Sequence, residues 1–344
     1  MSESLSDRAA AACLRAAVAA PSIHNTQPWR FRFDGGGFDV FGDPARRLEA
    51  IDPQHRGMYL SVGAAVCNLR LALAAEGWVS RLERGGPEGR AARVALAASR
   101  EPDGSVRALA GAIARRRTNR EPYDDAVIPD ATLDALCRAG AAGGVRLVAL
   151  DPVRRGAVLA LTQAADAVQR ADPRYQRELT AWTTGHADRR DGVPARVFGP
   201  RATTAALPLR DFGLDLPPKE RGLARFERHP HLLVLHSRGD GRAEWLDAGR
   251  ALQRVLLTAV VHGLAVQPMT QALEVPNLRR MLAAQDGRWF PQMILRVGYG
   301  RPVDTGPRRP LRDVLLPADG TSLPLRSTAF SRPPAATAGS RYRR

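Results

Sequence analysis

Two short clusters of polar residues in this 344-residue chain have the types and spacing to do chemistry. The first is Ala20-Pro21-Ser22-Ile23-His24-Asn25-Thr26-Gln27-Pro28-Trp29. Prolines near both ends fix the backbone, so two hydroxyls, an imidazole and two amides are presented at set points while Trp29 anchors the loop in a core. A helix-to-strand turn with Ser22 as a local cap is the plain alternative. The second cluster is Arg115-Arg116-Arg117-Thr118-Asn119-Arg120. Several guanidiniums beside a hydroxyl and an amide suit a phosphate, because their planar forks match its oxygens and keep their charge. A solvated basic linker is the ordinary alternative.

The remaining candidates are weaker. His24 could donate a proton or simply hold its loop by hydrogen bonds. The other histidines (His55, His186, His229, His231, His236 and His262) show no metal-ligand spacing, so no metal is expected. Cys13, Cys67 and Cys137 lie in Ala- and Leu-rich stretches with no CxxC pair, and are expected to be buried small hydrophobes. No Gly-rich dinucleotide fingerprint is present.

The elements that must position these clusters form a repeat. Residues 59–79 (YLSVGAAVCNLRLALAAEGWV) align without a gap on residues 245–265 (WLDAGRALQRVLLTAVVHGLA), at a constant offset of 186. Both have apolar faces at helical spacing and end at a glycine, Gly77 or Gly263. Two unrelated buried helices are the alternative to a duplication. The first of them follows a helix over 7–20 and a hairpin turning at Gly35-Gly36-Gly37. The second follows a helix over 131–139 and strands over 145–150 and 232–236, and precedes a strand over 292–297. Residues 81–107 read as a strand and connector. The expected domains are a first half over 1–110, a second over 111–323 and a tail over 324–344. Residues 183–222, dense in Pro, Gly and Arg without periodicity, read as a lid within the second half.

Composition limits the function classes. Hydrophobic residues at 44% and charged residues at 25% fit a globular chain rather than a disordered one. No uninterrupted apolar run reaches the roughly 18 to 20 residues that cross a bilayer. Met1 to Asp7 lacks a basic n-region, so a cytoplasmic protein without membrane contact is expected. The net charge of +16 is almost all arginine, with Lys219 the only lysine, and the arginines are scattered. Weak nonspecific attraction to nucleic acid at low salt is expected, and no specific nucleic-acid partner.

Taken together, these residues resemble the nitroreductase superfamily. The run Ala20-Pro-Ser-x-x-Asn-x-Gln-Pro-Trp29 is similar to that family's flavin-ring loop, and Arg116-Arg117-Thr118-x-Arg120 to its element for the FMN phosphate and ribityl chain. The run Gly263 to Thr270 resembles the turn whose amides face the flavin N5. The segments Leu295–Gly300 and Pro307–Leu311 resemble the closing strand and a basic phosphate element. The resemblance covers roughly residues 8 to 316, and IDPQHRGMYLSVGAA and IARRRTNR fit the Acg-like branch, in which two nitroreductase halves are fused.

The resemblance implies an α+β nitroreductase-like fold, with two half-repeats forming an intramolecular pseudo-dimer. It also implies FMN as cofactor, NAD(P)H as reductant and a small-molecule electron acceptor such as a nitroaromatic or quinone. Its site residues would be Ser22, His24, Asn25, Gln27, Arg116, Arg117, Thr118, Arg120, Arg225, Pro268, Met269, Thr270, Gln271, Arg308 and Arg309, with His24 the possible catalytic group. One half carries the ring loop and the other the arginine element, which implies one FMN per monomeric chain. A flavin-sequestering protein closed by residues 183–222 is the alternative.

Overall fold

The computed structural model describes residues 5–183, 189–203, 207–213, 221–283 and 287–317. The first half begins with helix α1 (Asp7–Val18), capped by Ser6 Oγ, which accepts from the Ala9 amide. Strands β1 (Trp29–Phe33) and β2 (Gly37–Gly42) form the expected hairpin and lead to helix α2 (Arg56–Ala75). After α2 come β3 (Trp78–Arg84), β4 (Arg90–Ser99) and helix α3 (Gly104–Ile113). Residues 81–107 therefore contain most of two strands and the start of a helix, where the sequence suggested one strand.

The second half opens with α4 (Asp130–Gly140) and β5 (Val145–Ala149). Two helices with no counterpart in the first half follow, α5 (Pro152–Ala171) and α6 (Pro173–Thr183). A short parallel pair, β6 (Arg201–Ala202) and β7 (Leu223–Ala224), precedes β8 (His231–Ser237) and α7 (Arg242–Val261). The half ends with β9 (Ala265–Met269), the short helices α8 (Gln271–Glu274) and α9 (Pro276–Met281), and β10 (Phe290–Gly298). The sequence expectation of an α+β architecture holds, and the residues proposed as a turn at Ala265–Met269 form a strand. The tail over 324–344 lies outside the described residues.

The two halves repeat one topology. The first sheet runs β1-β2-β4-β3 and the second β5-β8-β10-β9, each antiparallel throughout. Helices α2 and α7 span the same 20 positions of the repeat, since both bounds differ by 186. Each helix stops at a glycine with positive φ, +85° at Gly77 and +72° at Gly263, a region that side chains with a Cβ rarely adopt.

The two long helices pack on each other, which joins the two cores. Val62, Val66 and Leu69 of α2 lie with Trp29, Phe31 and Phe38 in one cluster, which also takes Leu246 from α7. Leu252, Val255 and Leu256 of α7 lie with Leu235 and Leu295 in the other, which takes Leu60 from α2. Each such side chain removed from water contributes about 1.5–3 kcal/mol. Helix α2 is long and apolar enough to cross a membrane, with mean hydropathy 1.5, because Asn68 and Arg70 interrupt the apolar run without lowering its average much. It is mostly buried against the rest of the chain, as a core helix is.

Candidate functional site

The loop between α1 and β1 is held in a conformation that the backbone alone would avoid. His24, Asn25 and Gln27 have φ of 43°, 54° and 49°, each costing on the order of 1 kcal/mol or more for a residue with a Cβ. Hydrogen bonds offset that cost. The Ser22 Oγ accepts from the Gln27 amide at 2.9 Å, and the Ser61 Oγ on α2 accepts from the Ile23 amide at 3.1 Å. Asn25 Nδ2 donates to the carbonyls of Gly192 (2.9 Å) and Pro307 (3.1 Å), while its Oδ1 accepts from Arg308 at 3.0 Å. Gln27 Nε2 donates to the Arg190 carbonyl at 2.9 Å, and its Oε1 accepts from the Arg309 amide at 2.7 Å. Segments 163–167 and 282–283 residues distant thus clamp the loop 19–28.

What these bonds leave free is the His24 ring. Its Nε2 is buried without a partner, and its edge meets Phe212 with centroids 5.7 Å apart. Burial, reinforced by Arg210, pushes its pKa down from 6.5 to about 3, so the imidazole is neutral near neutral pH.

The arginine element sits beside this loop. Asn119 sets its course, donating from its amide to the Val266 carbonyl (3.0 Å) and from Nδ2 to the Arg301 carbonyl (2.7 Å). Arg120 donates to the Val197 carbonyl at 2.9 Å and stacks 4.8 Å from the Phe212 ring centre. Arg116 is 5% exposed, and its Nε and Nη1 have no partner. Burial, then the Arg308 charge, lowers its pKa to about 9. Arg308 is lowered to about 10 by burial and then Arg117. Arg116, Arg117, Arg120 and Arg308 surround a small pocket of about 80 Å3. Its one carboxylate, Asp304, is exposed and forms no ion pair with them among the described residues. A buried cluster of like charges with orphaned donors is costly unless an anion joins it. Its donor set matches a phosphate.

Pro21, Ser22, His24, Thr118 and Arg120 also line a larger cavity of about 610 Å3, so the two adjoin. One wall of the larger cavity comes from the first turns of α2, including Arg56, Leu60 and Ser61. Another part of its lining is Gln267–Gln271, from the end of β9 into α8. Asp52 fixes the start of α2, its carboxylate accepting from the amides of Gly57 and Met58 at 2.9 Å each. Burial raises the Asp52 pKa despite those bonds. Residues 207–213 contribute Arg210 and Phe212 to the lining of the cavity. From them Arg210 pairs with Glu274 at 2.8 Å, both side chains buried, and donates to Thr270 Oγ1 at 3.2 Å. Tyr175 and Gln169 donate to the same Glu274 oxygen at 2.8 and 2.9 Å.

The structure brings most of the expected residues together. Ser22, His24, Thr118, Arg120, Pro268, Met269, Thr270 and Gln271 line the larger cavity; Asn25, Arg116, Arg117 and Arg308 line the smaller. Gln27 and Arg309 bond to each other behind the loop and line neither, so their place is as its supports. Arg225 is exposed just after β7 and is not brought to either cavity. Arg210 from the expected lid enters instead, in a stretch whose lack of periodicity gave no signal. Of that lid, residues 184–188, 204–206 and 214–220 lie outside the described residues. No His, Cys, Asp or Glu cluster suited to a metal occurs among the described residues.

Comparison with known proteins points one way. Residues 113–299 match the family model described as Nitroreductase family. A Mycobacterium tuberculosis protein described as "Putative NAD(P)H nitroreductase" is 36% identical over 317 residues, 88% of this chain and 89% of that one. A second from that organism, the similarly described acg protein, is 31% identical over 314 residues, 87% and 92% of the two chains. Among solved structures, an FMN- and NADPH-dependent nitroreductase, NfnB, from a Sphingopyxis strain is 21% identical with a TM-score of 0.36, covering 60% of this chain and 96% of that one.

Proposed function

The chain belongs to the nitroreductase family, and from that premise we propose that it is an FMN-dependent oxidoreductase using NAD(P)H to reduce a nitroaromatic, quinone or similar acceptor. The observation that carries this reading is Arg116, a buried guanidinium with two orphaned nitrogens among three other arginines, next to a cavity large enough for a ring system. FMN bound there would supply hydride exchange at N5, first from the nicotinamide and then to the acceptor.

The chain's own residues would bind and orient. Arg116, Arg117, Arg120, Arg308 and the Thr118 hydroxyl would hold the phosphate, and Ser22 and His24 the adjoining ribityl and ring edge, with Asn25 fixing Arg308 and the loop. Pro268–Gln271 would form the wall at the reactive edge, as the family resemblance implies. Arg210 enters the larger cavity as half of a buried pair with Glu274, and its unpartnered Nη1 would be the group offered to a developing anion. One cofactor per chain follows, since ring loop and arginine element occur once each, with the two halves standing where two subunits would.

One observation favours a second reading, in which the flavin is held without turnover. Phe212 lies against both His24 and Arg120, and the Arg210–Glu274 pair pins the same segment down.

A visible spectrum of the purified protein, with flavin quantified before and after anaerobic NADPH and NADH, tests both readings. About one FMN per chain that bleaches with a nicotinamide supports the reductase. Bleaching only with dithionite supports sequestration, and a colourless chain that takes up no added FMN sinks both. Independently, Arg117→Ala/Arg120→Ala should release FMN from the folded protein; full occupancy would remove the phosphate assignment.

A further inference from the structure

A second large cavity, about 650 Å3, shares no lining residue with the first. The repeat relates the two. Asp247 and Arg250 line it at positions 186 residues after Ser61 and Ala64, which line the first cavity. Arg70, Leu82 and Arg84 line it 186 residues before Leu256, Pro268 and Thr270, which also line the first. The α4–β5 connection, with Ala142 and Gly143, contributes where the α1–β1 loop contributes in the other half. The second cavity is thus the counterpart of the first, with its chemistry replaced.

That replacement says what it holds. Small neutral Ser61 and Ala64 are exchanged for Asp247 and Arg250. The Asp247 carboxylate joins Arg84 at 2.6 Å and Arg250 at 2.7 Å, a network occupying the place of a ring slot. A second flavin is therefore poorly matched. The other acids of the lining are engaged elsewhere, Glu101 with Arg107 at 2.9 Å and Asp103 as the cap of α3. Arg70, Arg100 and Arg254 form no ion pair among the described residues. Arg70 donates to the Ser80 hydroxyl and carbonyl alone, at 3.1 and 3.0 Å. Beside these three charges lie the half-buried faces of Trp78, Leu71 and Leu82. Unpaired guanidiniums next to an indole and aliphatic surface suit a flat ring carrying an anionic group.

We propose that this cavity binds a small aromatic anion about the size of a nucleoside monophosphate, its ring against Trp78 and Leu82 and its charge among Arg70, Arg100 and Arg254. The site is separate from the one assigned to FMN, and its occupancy does not depend on that assignment.

Titration calorimetry with adenosine 5′-monophosphate on protein saturated with FMN tests it. One saturable site is expected. Arg70→Ser/Arg254→Ser should weaken it about tenfold or more, as loss of charge-assisted contacts does. Trp78→Leu should weaken it as well, with flavin content and circular dichroism unchanged in both variants. Arg8→Ser/Arg15→Ser on the exposed face of α1 should leave it intact. Adenosine and inorganic phosphate should each bind at least about tenfold more weakly than the monophosphate. No saturable binding, binding indifferent to both cavity variants, equal loss in the α1 control, or phosphate binding as tightly as the nucleotide would each overturn the proposal.

Discussion

Gly63 and Gly249 each lie against the backbone of the other's helix: a Cβ on Gly63 would come 2.1 Å from the Leu246 carbonyl oxygen, and one on Gly249 2.1 Å from that of Leu60. The contacts are reciprocal, since Leu60 and Leu246 are themselves 186 residues apart. Helices α2 and α7 cross where neither can carry a side chain. Gly63→Ala and Gly249→Ala should each lower stability by about 1–3 kcal/mol, the usual cost of overpacking, by spreading this crossing. Once one methyl has parted the helices the second should cost less, so the double variant should lose less than the sum. Denaturant unfolding of the four proteins checks this; full additivity would mean the crossing is not a shared constraint.

Arg116→Met should move two quantities in opposite directions. It removes a buried charge that has no acid partner, so the flavin-free protein should keep or gain stability. The same change should weaken FMN by about 10- to 100-fold, the range for losing a charged hydrogen bond. Melting of the flavin-free form and a fluorescence titration with FMN would read the two; tight FMN binding by the variant would remove Arg116 from the phosphate site.

Acid should destabilise the fold earlier than its carboxylates alone would require. Burial holds His24 at about 3 and His236 at about 4, against 6.5 when exposed. Both folded values lie below the unfolded one, so the unfolded chain binds more protons between pH 6.5 and about 4. Stability is therefore complete above pH 6.5 and falls as the pH drops, by up to about 1.4 kcal/mol per pH unit for each histidine. His24→Gln should make that slope shallower in urea unfolding from pH 7 to 4.5. An unchanged slope would mean that His24 is protonated in the folded chain.

Arg210→Gln should unpin the segment that brings Arg210 and Phe212 to the cavity. It breaks a buried pair on which Tyr175 and Gln169 also converge, leaving Glu274 short of its cation. Iodide should then quench bound flavin several-fold more effectively, and acceptor turnover should rise. Unaltered quenching would show that the Arg210–Glu274 pair does not control access.

Much of this was readable in the sequence because it is local or periodic. The offset of 186 relates α2 to α7 position by position, since apolar spacing and a terminal glycine are written along a single helix, although the segments read from sequence, 59–79 and 245–265, start inside the helices and run past their ends. The two polar clusters were visible because proline and arginine mark loops by type. Contacts made across long separations were not visible. Arg225 was expected at the cavity and Arg210 arrives there, yet both lie in aperiodic Arg-rich chain, and only packing against Phe212, Tyr175 and Glu274 chooses between them. Gln27 and Arg309 matched motifs and turned out to support each other, because a motif records residue type and not which way an amide faces. Helices α5 and α6 are amphipathic yet went unassigned, because they are polar overall and bury few positions each.

The repeated topology carries a consequence for how such a chain can change. A homodimer writes every substitution twice, so a residue that improves one pocket is imposed on the other. Here Ser61 and Asp247, or Ala64 and Arg250, hold corresponding places and need not agree. One pocket could keep a small neutral slot while the other gained charge, with no compromise between them. Two halves in one polypeptide need not match residue for residue, whereas at the crossing Gly63 and Gly249 each restrict what the other helix can carry.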